Sequence, residues 1–393
     1  MDNNKKKQIF FSLSNEEYFK YNKENIIKIT NILNKDRLVI VNWMKNNWKI
    51  NFIKELIHET KIKNNYFYFN KSDDIENNIN SNLDLLKILN DYVQLYKIPK
   101  IVILQNISKI NWIKEFISYL YKNQYKVILI WNSIKIWWIK ELEIKNRPII
   151  TNENINSNLK YWFLLDIKQI DNIYIKEKIL KLLSNDIFLN SIFKDFSVKS
   201  IELYIFTIIY LSKNNIFYSL RELYKQLDSI NKISLKTTID YIDFSLQSKI
   251  IKRSYKYDIK TKKEITSKAK YYFSDNWIRN SLVDYKLNKY ILLENMIFNI
   301  LDYNDFIIYS GINWKFEFSF YWIKEKEKIF IHISRQETKE ELKKEINKLN
   351  KIKDEGKKYL LVKNIKELAI KKIQYNNVLI IEINEFIINF KQK

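Results

Sequence analysis

The sequence predicts an α/β protein of three parts: a parallel sheet with helices, then a helix-turn-helix with a β-hairpin, then a second α/β segment. Three observations predict it. Short apolar runs alternate with amphipathic stretches over the first half. The middle turns helical and then into two basic, strand-like segments. The last third returns to strands and helices. At 393 residues the chain is long enough for two or three domains with a core in each.

Leu38–Val41 (LVIV) is a buried-strand signal, and Ile50, Phe52, Ile53, Leu56 and Ile57 follow at helical spacing. Tyr66–Phe69, Ile101–Leu104 and Val127–Ile130 read as further strands, with the helical patterns LDLLKILNDYVQLY and WIKEFISYLY between them. Beyond about Leu180 come SLRELYKQL, a break at Asp228–Lys232 and SLKTTIDYIDFSLQSKII. The basic strands KRSYKYDI and the one ending in KYYF complete a winged-helix pattern, with Ser234–Tyr241 as recognition helix. The final third offers helix LLENMIFNIL, strand FIIYS, a hairpin over Phe316–Ser334, helix KEELKKEINKLNKI, and strands YLLV and VLIIEI.

Composition excludes several chemistries. Cysteine is absent, which removes disulfides, thiolate metal sites and cysteine nucleophiles, and the two histidines, His58 and His332, leave little for a histidine-ligated metal. Apolar residues make up 46% of the chain, which excludes a disordered protein. No signal peptide opens the sequence and no apolar run reaches the ~18 residues of a spanning helix, so a cytoplasmic protein without a membrane partner is expected. There are 2 glycines, Gly311 and Gly356, where ordinary usage of about 7% would give many more. Two prolines and six arginines among 68 basic residues point the same way, to AT-rich coding. That bias explains part of the net charge of +23, so a basic chain alone does not establish nucleic-acid binding.

The strings TTIDYIDFSLQSKII, YKYDIKTKKE, KAKYYFSDNWIRNSL, LLENMIFNIL and WKFEFSFYW follow one another in a recognisable order. They resemble the prokaryotic AAA-type P-loop ATPases that carry a winged helix and then a restriction-endonuclease-like domain. In that family a motif close to K-Y-Y-F-x-D-x-G-h-R-N (h apolar) precedes L-E-N and E-h-D-F. Lys270 to Asn280, Leu293 to Asn295 and Glu317 to Phe320 occupy those positions. The resemblance implies a P-loop domain over 1–195, a winged helix over 196–275 and the nuclease-like domain over 276–393.

It also implies ATP as ligand, with a P-loop G-x-x-x-x-G-K-[ST] after the first strand. The chain has Trp43, Met44, Lys45, Asn46, Asn47, Trp48, Lys49 and Ile50 there: the lysine is present, both glycines are tryptophan, and the Mg²⁺-binding hydroxyl is Ile50. The family's strand-then-T-G-S segment reads Ile130, Trp131, Asn132, and its D-x-G reads Asp275, Asn276, Trp277. Four family glycines are thus four tryptophans. We read this recurrence as UGA codons meaning glycine in the source organism and translated here as tryptophan; the alternative is true degeneration into a pseudo-ATPase.

The family's two acids after the third strand are Gln105 and Asn106, and amides cannot offset a divalent charge or accept a proton as carboxylates do. Mg²⁺ therefore lacks its protein ligands, and hydrolysis should be weak or absent. Arg147 is the one arginine placed as a finger. In the nuclease-like part the helix acid is Glu294 and the hairpin motif begins at Glu317. Its aspartate position is Ser319, and the next strand reads His332, Ile333, Ser334 without a lysine, so nuclease activity is not expected. His332 reads as a solvated strand residue. For DNA, Lys236 and Thr237 near the start of the recognition helix and Lys252, Arg253 and Lys256 in the wing are the candidate contacts. They belong to a segment, Lys249 to Lys270, with nine basic residues against Asp258 and Glu264. The second reading is a nucleotide-independent DNA- or protein-binding module. Nothing in the sequence marks an oligomeric state.

Overall fold

Continuous apolar runs suit strands buried on both faces, and they form the first sheet. The computed structural model describes residues 23–42, 48–60, 65–70, 79–105, 107, 110–131, 140–143, 173–185, 192–196, 198–213, 216–283, 289–303, 307–324, 327–335, 338–363, 365 and 374–391. Two compact units, Met1–Lys145 and Asn146–Lys393, make up the chain.

The first unit contains α1 (Lys23–Lys35), β1 (Leu38–Asn42), α2 (Trp48–Glu59), β2 (Tyr66–Asn70), α3 (Asn82–Tyr96), β3 (Ile101–Gln105), α4 (Ile113–Lys122), β4 (Val127–Trp131) and β5 (Lys140–Glu143). Its sheet has the order β2-β3-β4-β1-β5, and every pairing is parallel. One face, through Leu38, Ile40, Phe67, Phe69, Val102, Leu104, Val127 and Leu129, packs on α3 and α4. The alternate residues Val39, Val41, Ile103, Ile128 and Ile130 are buried as well, so both faces are covered. A capping box fixes where α3 starts: Asp84 N–H donates to Ser81 Oγ at 3.3 Å, and Ser81 N–H donates to Asp84 Oδ2 at 3.0 Å.

The second unit contains α5 (Ile173–Asn185), α6 (Phe193–Phe196), α7 (Ile201–Lys213), α8 (Leu220–Asp228), α9 (Leu235–Gln247), β6 (Ile251–Asp258), β7 (Lys263–Phe273), α10 (Asn276–Leu282) and α11 (Lys289–Tyr303). It continues with β8 (Ile307–Asn313), β9 (Phe316–Lys324), β10 (Glu327–Ile333), α12 (Lys339–Asn350), β11 (Lys357–Val362), β12 (Gln374–Tyr375), β13 (Val378–Glu382) and α13 (Ile383–Lys391). One 8-stranded sheet runs β12-β13-β11-β10-β9-β8-β6-β7. The basic hairpin β6–β7 therefore shares a sheet with the strands that come after it, through the parallel pair β6–β8. Its two faces are separate cores. Phe320, Trp322, Ile331 and Ile333 meet α11 and α13, while Phe318, Tyr321, Phe330 and Leu360 meet α12. Helix α9 begins where its cap dictates, with Thr237 N–H donating to Ser234 Oγ at 3.0 Å.

Among the described residues no helix is long and apolar enough to cross a membrane.

Candidate functional site

In a parallel sheet, ligands meet the carboxyl ends of strands where neighbouring connections leave in opposite directions. Here that point lies between β1 and β4. From β1 the chain passes α2 to the far edge at β2, whereas from β4 it crosses to β5 at the opposite edge. Asn42 and Trp131 end these two strands side by side. Five residues, 43–47, separate β1 from α2, and a helix running back from a parallel strand brings its amino end to this same edge. Trp48, Lys49 and Ile50 are the first three residues of that helix. Element order alone thus places Lys49 in the first turn of α2. Trp43, Lys45, Asn106, Asn132 and Arg147 lie outside the described residues.

Gln105 ends β3 between Asn70 of β2 and Ile130 of β4. It is 6% exposed, and its Oε1 accepts a hydrogen bond from Tyr68 Oη at 3.0 Å. That clamp, which sequence reading missed, leaves the carbonyl oxygen occupied and offers no group able to take a proton.

Of the residues read as a nuclease remnant, Glu294 and His332 do not share a face of the sheet. Glu294, on α11, is 5% exposed and is held by Tyr272 Oη at 2.9 Å, Lys270 Nζ at 3.4 Å and Arg335 Nη2 at 3.8 Å. It belongs to the face that α11 covers. His332 belongs to the other face, where its Nε2 lies 3.4 Å from Glu345 Oε1 on α12. The expectation of a solvated histidine is corrected: its side chain is 14% exposed, because the strand turns it under α12 rather than outward. Ser319 Oγ accepts from Ile333 N–H at 3.1 Å, and Glu317, half exposed, lies 3.9 Å from Lys256. Among the described residues no group of three His, Cys, Asp or Glu side chains is placed to hold a metal.

Burial pushes the Glu345 carboxyl up, but the His332 imidazole, the Ser334 hydroxyl (2.6 Å) and the Lys348 charge together hold it below the ordinary glutamate value. A depressed folded-state value stabilises the fold fully above the unfolded glutamate pKa of about 4.3. That stabilisation is lost as pH falls through the lower folded value. Glu345→Gln is therefore expected to flatten the loss of stability below about pH 4.3, read by urea unfolding at a series of pH values. An unchanged slope would place the acid sensitivity elsewhere.

Of the candidate DNA contacts, Lys236 and Arg253 are exposed, and the Arg253 guanidinium lies 4.5 Å over the Tyr255 ring. Thr237 is engaged with Ser234 at the helix cap. Lys252 pairs with Asp302, both about one-fifth exposed (19%), and Lys256 is 15% exposed beside Glu317. Two of these three hairpin cations are therefore spoken for inside the fold.

A cavity of about 850 Å³ opens at the opposite end of the first sheet, lined by Thr30, Asn34, Glu59, Lys100 and Lys126 among others. It lies by the starts of β3 and β4, away from the strand ends where Lys49 sits.

No family model matches the chain. No curated protein matches it either. Among solved structures, a Walker-type ATPase of Pyrococcus abyssi shares 10% identity over 69% of this chain and 97% of that one, with a TM-score of 0.41. The replication initiator DnaA bound to AMPPCP and single-stranded DNA shares 11% identity over 60% of this chain and 92% of its own, with a TM-score of 0.29. Likenesses this distant carry no argument about activity.

Proposed function

We propose that the chain binds ATP at the carboxyl ends of β1 and β4, with hydrolysis weak or absent. The observation that carries this is the succession of β1 and α2, five residues apart in sequence, at the point where the sheet's connections diverge, with Lys49 second in the helix. The amide of Gln105, closed by Tyr68, and the alkyl side chain of Ile50 supply no ligand for Mg²⁺. Trp43, Trp48 and Trp131 stand for glycine in this reading, because an indole at position 43 or 48 would fill the space phosphate needs. The fourth candidate, Trp277, is 1% exposed within α10 and packs as tryptophan ordinarily does.

The same proposal keeps 1–195, 196–275 and 276–393 as regions of the sequence, the second and third being joined in one sheet through the β6–β8 pair. It is supported by the succession α7, the Tyr218–Ala269 bridge, α8, α9 and the β6–β7 hairpin, which is the element order of a winged helix. Nuclease chemistry is not proposed, since Glu294 and His332 occupy different faces of the sheet.

The test is ATP-dependent melting. The chain with its tryptophans should show no rise. Trp43→Gly with Trp48→Gly and Trp131→Gly should melt higher in ATP, by an amount corresponding to about 2.7 kcal/mol when ligand is at 100 times Kd. Adding Lys49→Ala should abolish the shift. Turnover should stay low until Gln105→Asp, Asn106→Glu and Ile50→Thr rebuild the metal shell. No shift in the restored variant would remove this reading in favour of the second one, a nucleotide-independent module that meets DNA or protein. Exposed Lys236 at the start of α9 and Arg253 on the hairpin favour that alternative.

A further inference from the structure

Eight non-glycine residues of the described backbone have positive φ, and neither glycine does. Two of the eight are tryptophans, Trp112 at 61° and Trp314 at 60°, although tryptophan supplies only 10 of the 393 residues. In the left-handed region a Cβ crowds the backbone, which is why glycine dominates there and bulky side chains are outliers.

Each position independently asks for glycine. Asn313 pairs with Phe316, so Trp314 and Lys315 form a two-residue turn between β8 and β9. Only the first of them has positive φ, the pattern of a type II′ turn with glycine at that place. Trp112 caps α4 with φ 61° and ψ 28° and makes no side-chain capping bond, where glycine is an accepted cap and tryptophan is not. Both indoles are 70% exposed, so no packing compensates the backbone. The Lys260 ammonium 3.7 Å from the Trp314 ring is an exposed contact, weaker than the cost of the conformation. Trp322 is the contrast: extended in β9 and 3% exposed within the core, it behaves as tryptophan ordinarily does. Asparagine precedes Trp112 and Trp314, as it precedes Trp43 and Trp48, and Asn-Gly is a strong turn dipeptide.

We infer that positions 112 and 314 are glycine in the protein as its source organism makes it. The inference shares the UGA reading with the proposed function but rests on backbone angles, with no appeal to a P-loop. Position 112 lies on the path from Gln105 into α4, so the residue there helps set the course of the chain beyond the strand ends.

Peptide mass spectrometry of the native protein, with the coding triplets, tests it. Glycine at 112 and 314 with tryptophan at 322 is expected. Tryptophan at 112 or 314 overturns it. Glycine there with tryptophan at 43 and 48 would uphold this inference and end the P-loop reading, while the reverse would overturn this inference alone. A second measurement uses the chain with its tryptophans in place. Trp314→Gly should raise the melting temperature and Trp314→Ala should not, because alanine keeps the Cβ. A fall with Trp314→Gly would overturn the assignment at that turn.

Discussion

Lys270→Met is expected to destabilise the second unit by about 3–5 kcal/mol, because it leaves the buried Glu294 carboxylate without its buried cation. Lys270 and Glu294 are 6% and 5% exposed, so neither charge is rescued by water. Tyr272 Oη at 2.9 Å still donates to Glu294, and Arg335 reaches it only at 3.8 Å from an exposed position. Replacing both charges, as Lys270→Met with Glu294→Leu, should cost much less than the single change, since the desolvated charge is then gone. Urea unfolding of the two single variants and the double variant measures the difference. A single change costing under about 1 kcal/mol would mean that the pair is solvated like a surface bridge.

A comparable loss, about 3–5 kcal/mol, is expected from Asn295→Leu. The Asn295 Oδ1 accepts from Phe273 N–H at 2.7 Å, and its Nδ2 donates to Phe273 O and to Asn276 Oδ1, each at 2.9 Å. One amide thus closes the end of β7 and the start of α10 onto α11. Leucine fills the volume but strands a buried backbone donor and a buried amide oxygen, and each such orphan costs about 1–3 kcal/mol. Asn299 continues to serve Phe273 O at 2.8 Å, which keeps that carbonyl from being the main loss. A lower urea midpoint with unchanged m-value would confirm that the native contact is what was lost. A midpoint that does not move would show water replacing the amide.

The strands of the first sheet were legible because burial on both faces demands the unbroken runs LVIV, YFYF, IVIL and VILI. Strand β5, with sequence KELE, was not: an edge strand carries charge and leaves no apolar signature. Helix α1 escaped notice in a segment rich in lysine and asparagine, where coding bias blurs periodicity. Lys270 was read as one more cation of a basic segment, and nothing in its residue type marks it as one of the few buried lysines. Glu345 was invisible as the partner of His332 because strand β10 and helix α12 meet only in three dimensions. The left-handed conformation of Trp112 and Trp314 ran against every propensity of that residue, so the residue type gave no sign of it.

The shared sheet of the second unit bears on how such a protein can be taken apart. β6 is hydrogen-bonded on both sides, to β7 and to β8, and residues 274–275 lie between Phe273 and α10. A cut after position 275 would strip β8 from β6, bare a strand edge along Lys256, Tyr257 and Asp258, and remove the Asn295 amide from Phe273. The fragment left behind would carry α8, α9 and the hairpin with one open seam. Cutting at that junction would yield sticky halves, so the hairpin and the strands beyond it form one folding unit.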